Sequence, residues 1–277
     1  MNTYDCDPTL SDTEVLEFCK NGFLMLEGVV PEEINNLATK HADENSVLEP
    51  TELLEKDWFV EDIILNSSGF GAARSLLGSN VGLPRRVSNH RGDGPVPAQD
   101  WHNDSGSKYG PELNYLQVFY YPEGCVREMG PTELLPGSHF LFSPSSRMGH
   151  YGRIRGSHHA VCPPGSILIT VYSIWHRRSE ATMSGIRNNF KYNYWRTSPP
   201  TRDWINDPGF DYATADYTAG SFALAPRRPS RDCRDAAEMF FWLSGIHDKY
   251  DWVGGQDWPM ASGTDIDDRP YGVPEGV

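Results

Sequence analysis

The chain has 277 residues, 38% of them hydrophobic and 22% charged, which supports a packed core and argues against disorder as the main state. A formal net charge of −14 argues against a nucleic-acid surface, which needs a basic patch. No apolar run approaches the ~20 residues of a membrane span. The first residues, "MNTYDCDPTLSD", lack the basic start and apolar stretch of a signal peptide, so a cytoplasmic location is expected.

In chain order, Ser11 is placed to cap a short helix with Val15, Leu16 and Phe18 at helical spacing, ended by Asn21-Gly22. "GFLMLEGVV" follows as an apolar strand, and Pro31 opens a second helix through "EEINNLATKHA". Residues 67–97 are rich in Gly, Pro and Ser, with only short apolar pieces between. From about 112 to 196 the runs "LNYLQVFYY", "SILITVYSIWH" and "NNFKYNYWRT" are β-branched and aromatic, bounded by Gly or Pro. They predict an antiparallel barrel or jelly roll. "SRDCRDAAEMFFWLSG" predicts an amphipathic helix over about 231–245, capped by Ser230 and closed by Gly245, before an acidic loop-like tail after 253. No repeat or low-complexity linker divides the chain. One domain over 1–277 is expected, with N-terminal helices over about 11–57 and a β core over about 85–200. The five cysteines, Cys6, Cys19, Cys125, Cys162 and Cys233, are scattered without a C-x-x-C pair. That spacing disfavours a disulfide framework or a thiolate zinc site.

The chemistry concentrates in "AQDWHNDSGS". On an extended segment His102 and Asp104, two positions apart, point to one side and converge on a single object such as a divalent metal. His176, at the end of "SILITVYSIWH", supplies a third ligand and is again preceded by an aromatic residue. Two histidines and one carboxylate leave coordination positions open, the pattern of non-haem Fe(II) oxygenases. Arg187 follows His176 by eleven residues, and its planar guanidinium suits a bidentate grip on a carboxylate. An open metal beside such an arginine implies a dicarboxylate co-substrate that chelates the metal at one end, and 2-oxoglutarate fits.

Four features in order resemble the phytanoyl-CoA dioxygenase family of Fe(II)/2-oxoglutarate oxygenases. They are the opening "LEFCKNGFLMLEGVVPEEINNLATKH", the "QDWHND" motif, the segment "MGPTELLPGSH", and the interval from His176 to Arg187. The similarity covers roughly residues 10–200. It implies a mainly β, double-stranded β-helix (jelly-roll, cupin-like) fold with flanking helices. It also implies Fe(II), 2-oxoglutarate and O2 as cofactor and co-substrates. By the same resemblance His102, Asp104 and His176 hold iron and Arg187 holds the far carboxylate of 2-oxoglutarate, helped by Gln99 and Thr132. Halogenases of the superfamily replace the metal carboxylate with a small residue, and Asp104 is intact here.

The expected reaction is hydroxylation of an unactivated C–H bond of a small metabolite with release of succinate and CO2. Desaturation, cyclisation and epoxidation use the same iron site. A natural-product or amino-acid-like substrate is favoured over an acyl-CoA. The arginines on offer for CoA phosphates, Arg85, Arg86, Arg91, Arg177 and Arg178, form no clear cluster against the acidic total. No nucleic-acid or membrane partner is expected, and the chain is read as a monomer or homodimer. Strand alternation puts Asn189, Lys191, Asn193 and Trp195 on the face of Arg187, and Tyr115, Gln117, Phe119 and Tyr121 on another shared face. Trp195, Asn189, Phe119 and Tyr121 are therefore candidates for the substrate pocket, with core packing the competing role. His139 belongs to a corner set by Pro136 and Gly137 and is expected to bond locally. His150, His158 and His159 read as connecting-segment residues. Two rival classes are a non-catalytic metal-binding jelly roll and a zinc hydrolase on the same triad, the latter without a placed general base.

Overall fold

The computed structural model describes residues 2–104, 109–141, 148–217 and 229–249. Helix α1 (Asp12–Asn21) begins in a reciprocal cap. Ser11 Oγ accepts from the Glu14 amide and Glu14 Oε2 accepts from the Ser11 amide at 2.8 Å. It ends where Gly22, at φ 79°, donates to the Phe18 carbonyl at 2.7 Å. Helix α2 (Glu32–Glu44) starts after Pro31 and buries Ile34, Asn35, Ala38 and Ala42. A short helical turn, α3 (Asp57–Phe59), runs on through Val60–Ile64.

The Gly- and Ser-rich stretch after residue 66 also forms a helix, α4 (Ser67–Leu77), capped by the Asn66 side chain. Its small residues permit close approach to the sheet: a Cβ on Gly69 would stand 2.9 Å from Ile167 Cδ1. Composition concealed this helix because the packing demands the residues that otherwise signal loops. The C-terminal helix α5 (Pro229–Leu243) lies against α1 and is followed by Gly245 at φ 74°. The capping role expected of Ser230 and the tail after 253 lie outside the described side chains and residues.

Twelve strands are described: β1 Thr3–Tyr4, β2 Phe23–Leu26, β3 Val81–Gly82, β4 Ser88–Asn89, β5 Gly92–Val96, β6 Tyr115–Tyr121, β7 Thr132–Leu134, β8 His158–His159, β9 Ser166–Val171, β10 His176–Arg178, β11 Ala181–Arg187 and β12 Phe190–Trp195. The main sheet runs β1-β3-β12-β6-β9-β2, with β4 also on β12. The N-terminal strand β2 is thus part of the main sheet. Opposite it stand β10-β7-β8, extended by the segment from Gln99 to His102 on β10, and the pair β11-β5. The main sheet and these two smaller antiparallel sheets, with flanking helices, form the jelly roll that the sequence predicts.

Alternation sorts the two faces of the main sheet. Val118, Tyr120, Ile167, Ile169, Phe190, Tyr192 and Tyr194 belong to the large core with the helices, while Phe119, Tyr121 and Leu168 belong to a second cluster inside the roll. Two buried polar groups tie the elements together. Asp12, fully buried, accepts from Arg202 Nε (2.7 Å) and Nη2 (2.6 Å), Trp204 Nε1 (2.8 Å) and the Asp207 amide (2.7 Å). His139 is 1% exposed and sits over Gly22, with Nε2 3.0 Å from the Cys19 carbonyl oxygen. Gly137 does turn the corner at φ 76°. The His139 ring nevertheless bonds the end of α1 rather than its own turn, because that helix end is where a carbonyl is left without a helical partner. Among the described residues no helix is long and apolar enough to cross a membrane.

Candidate active site

The two histidines of the motif are brought together by the backbone itself. The His102 amide donates to the His176 carbonyl at 3.0 Å and the His176 amide donates back at 2.8 Å, so the residues pair directly across strands. Their rings lie 4.5 Å apart. The tryptophan before each histidine is an anchor. Trp101 and Trp175 are buried in one cluster, and their indole N–H groups donate to the carbonyls of Gly152 (2.8 Å) and Leu141 (3.1 Å).

Ligand atoms of His102, Asp104 and His176 all lie within 4.8 Å of one another. His102 Nδ1 is 2.8 Å from the Asp100 carbonyl oxygen and His176 Nδ1 is 3.0 Å from that of Ile174. Each Nδ1 is therefore the donor, which leaves both Nε2 atoms as lone-pair bearers. Such backbone ties fix the tautomer of metal-ligating histidines, so the donor set fits a divalent metal. Burial lowers the His176 imidazole to about 4 against the opposing pull of Asp104, so the ring is neutral near pH 7. Burial alone would raise the Asp104 carboxyl. The His176 and Lys191 charges and the Lys191 and Gln117 hydrogen bonds outweigh it and hold the group well below the usual carboxylate range.

Lys191 and Gln117 were not singled out from sequence as partners of this carboxylate. Lys191 Nζ is 2.6 Å from Asp104 Oδ2, and Gln117 Nε2 donates to the same oxygen. Alternation had already turned both inward, and a lysine facing a barrel interior was the signal available.

A cavity of about 430 Å3 lies beside the triad, bordered by His102, His176, Gln99, Thr132, Phe119, Asn189, Arg178 and Arg187. Arg187 is 4% exposed. Its Nη1 donates to the Gly130 carbonyl at 2.8 Å, its Nε has no partner, and no carboxylate pairs with it among the described residues. Arg178 shares the wall. It donates through Nη2 to the Pro97 carbonyl at 2.8 Å, and its Nε is also without a partner. Burial and, after it, the Arg187 charge depress Arg178 from its ordinary value. Two neighbouring cations without counter-charges among the described residues make a candidate anion site.

Gln99 Oε1 accepts from the Arg178 amide at 3.1 Å, and Thr132 is the cross-strand partner of Arg178. Tyr121, fully buried, donates to Thr132 Oγ1 at 2.8 Å. Of the substrate candidates, Phe119 and Asn189 line this cavity, Tyr121 lies beneath it, and Trp195 stands at the other end of the roll beside Tyr115.

No family model matches the chain, and no curated protein matches it. Solved structures do. HygX from Streptomyces hygroscopicus with nickel and 2-oxoglutarate bound is similar at a TM-score of 0.58 and 13% identity, over 68% of this chain and 88% of that one. The non-heme alpha-ketoglutarate-dependent epimerase SnoN from nogalamycin biosynthesis gives 0.53 and 14%, over 66% and 81%. EctD from S. alaskensis with bound Fe gives 0.56 and 16%, over 74% and 83%. At these identities the likeness establishes the fold alone.

Proposed function

We propose that the protein is an Fe(II)- and 2-oxoglutarate-dependent oxygenase that oxidises, by default hydroxylates, a C–H bond of a small metabolite. The observation that carries this reading is Arg187: a buried guanidinium with no carboxylate partner among the described residues, in a cavity that His102 and His176 of the triad also border. Iron and 2-oxoglutarate, when bound, supply the coupling of oxidative decarboxylation to C–H oxidation. Everything else is positioning by the chain.

His102, Asp104 and His176 hold the metal from one side. Lys191 and Gln117 grip Oδ2 of Asp104, which keeps the carboxylate ionised and restricts its rotation. Arg187 takes the far carboxylate of 2-oxoglutarate by charge-assisted hydrogen bonds, with Arg178 as a second arm and Gln99 and Thr132 on the wall between. Trp101 and Trp175, buried together and bonded to the Gly152 and Leu141 carbonyls, anchor the two strands that carry the histidines. The fold neighbours support the cofactor assignment, since one holds nickel and 2-oxoglutarate and another iron. One HygX structure also contains hygromycin B, in line with a small-molecule substrate.

The test is succinate formation. The iron-loaded chain given 2-oxoglutarate and O2 is expected to release succinate slowly even without a primary substrate, and the Arg187→Gln variant is expected not to. Metal bound without succinate from either protein would overturn the reading in favour of a binding jelly roll.

A further inference from the structure

The interior of the roll has a polarity along its axis, which strand register defines. β6 places Tyr115, Gln117, Phe119 and Tyr121 on one face, and β12 pairs Asn193 with Gln117 and Trp195 with Tyr115. β9 pairs Thr170 with Gln117 and Val171 with Leu116, so Tyr172 follows at the level of Tyr115. One end holds Arg187, Thr132 and Tyr121. The middle holds Asp104, gripped by Gln117 and Lys191. The rung one step beyond, about 7 Å further along the strands, is aromatic. Tyr115 stands 5.0 Å from Tyr172 and 5.3 Å from Trp195 between ring centroids.

That rung opens into a second cavity of about 240 Å3, walled by Tyr109, Tyr115 and Tyr172 with Glu112, Asn114 and Ser173. Glu112 is the only charged side chain on its wall among the described residues. Its hydrogen bond is to Asn114 Nδ2 at 3.4 Å, and it has no cationic partner among those residues. Two cations among the described residues are committed elsewhere. Lys191 is paired with Asp104, and Arg196 donates to the carbonyls of Leu113 (3.0 Å) and Leu76 (2.6 Å). Aromatic faces attract cations through their ring quadrupoles, and a carboxylate at the rim adds to that attraction. Among the described residues, an anion would meet no positive group on this wall.

We propose that this aromatic cavity on the Tyr115 side of the triad is the primary-substrate site and that it takes a cationic, amine-bearing small molecule, with the ammonium held between the tyrosine rings and Glu112. The proposal rests on the oxygenase reading for its claim of reaction but not for its claim of binding. It places the reacting C–H bond between the ammonium and the triad, on the opposite side from Arg187. It also argues against acyl-CoA, whose phosphates would meet, among the described lining residues, a carboxylate and phenol rings and no cation.

Three probes sharing an acetyl group test it by calorimetry and ligand-detected NMR on the full chain, without metal and then with Ni(II) and 2-oxoglutarate. They are acetylcholine, its neutral isostere 3,3-dimethylbutyl acetate, and acetyl-CoA. Acetylcholine is expected to bind at least tenfold more tightly than the neutral isostere, with acetyl-CoA weakest. Glu112→Gln, a change at an exposed position, is expected to cut the cation preference below threefold, and Tyr115→Leu to weaken acetylcholine further. Equal affinity for the neutral isostere, tightest binding of acetyl-CoA, no binding of any probe, or an unchanged preference in Glu112→Gln would each overturn the proposal. A cation preference in a chain that forms no succinate would sink the oxygenase reading alone. Succinate without a cation preference would sink the cavity assignment alone.

Discussion

His139 offers a prediction whose size follows from its surroundings. The ring is 1% exposed and wedged over Gly22, and burial, only partly offset by the bond to the Cys19 carbonyl, lowers it from 6.5 to about 3. The folded state therefore holds it neutral while the unfolded chain binds a proton as pH falls below 6.5. Stability contributed by the neutral ring is intact above that value, is lost progressively on acidification, and stops falling only near the folded value. Each pH unit in that window costs about 1.4 kcal/mol, so the drop from pH 7 to pH 5 amounts to about 2 kcal/mol from this one residue. The assay is urea denaturation at the two pH values, on wild type and on His139→Gln, which cannot titrate there. Other histidines contribute to both proteins and cancel in the difference. The variant is expected to be weaker at pH 7 but to lose about 2 kcal/mol less on acidification. Identical pH dependence in the two proteins would mean that His139 is not held neutral by its burial.

Arg187→Gln should weaken 2-oxoglutarate binding by roughly 10- to 100-fold, the worth of a charge-assisted pair at about 1.5–3 kcal/mol, with metal affinity unchanged by calorimetry. Arg178→Gln should weaken the same ligand by roughly tenfold and leave a 2-oxo acid lacking the far carboxylate unaffected. An equal loss for both acids would remove Arg178 from the anion site. Gly22→Ala combines a left-handed backbone at φ 79° with a Cβ driven into the His139 ring, and should cost about 3 kcal/mol or more in chemical denaturation. Asp12→Ala strands the Arg202 guanidinium and the Trp204 indole and should cost about 3–5 kcal/mol, read as a lower denaturation midpoint with the same slope.

His102, Asp104, His176 and Arg187 could be proposed from the sequence because metal and carboxylate chemistry restrict both residue type and spacing, and strand ends place such residues at fixed intervals. Strand alternation along β6 and β12 was equally legible, since period-2 patterning survives any packing detail. What escaped was set by tertiary contact. The glycines of α4 read as loop because their purpose, close approach to Ile167, is visible only with β9 in place. β2 could be recognised as a strand but not as an edge of the main sheet. The partner of His139 lies 120 residues away along the chain, beyond any local rule. Lys191 and Gln117 were placed on the correct faces, yet their shared grip on Asp104 depends on three segments meeting.

On the proposed reading one cavity takes both a metal and the far carboxylate of 2-oxoglutarate. The most direct measurement is an anaerobic titration of Fe(II) and 2-oxoglutarate into the metal-free protein, followed by the visible charge-transfer absorption of the chelate, with Arg187→Ala alongside. A band that saturates at one equivalent, and that needs far more 2-oxoglutarate in the variant, is expected. Bound iron with no band, or a band indifferent to Arg187, would contradict it.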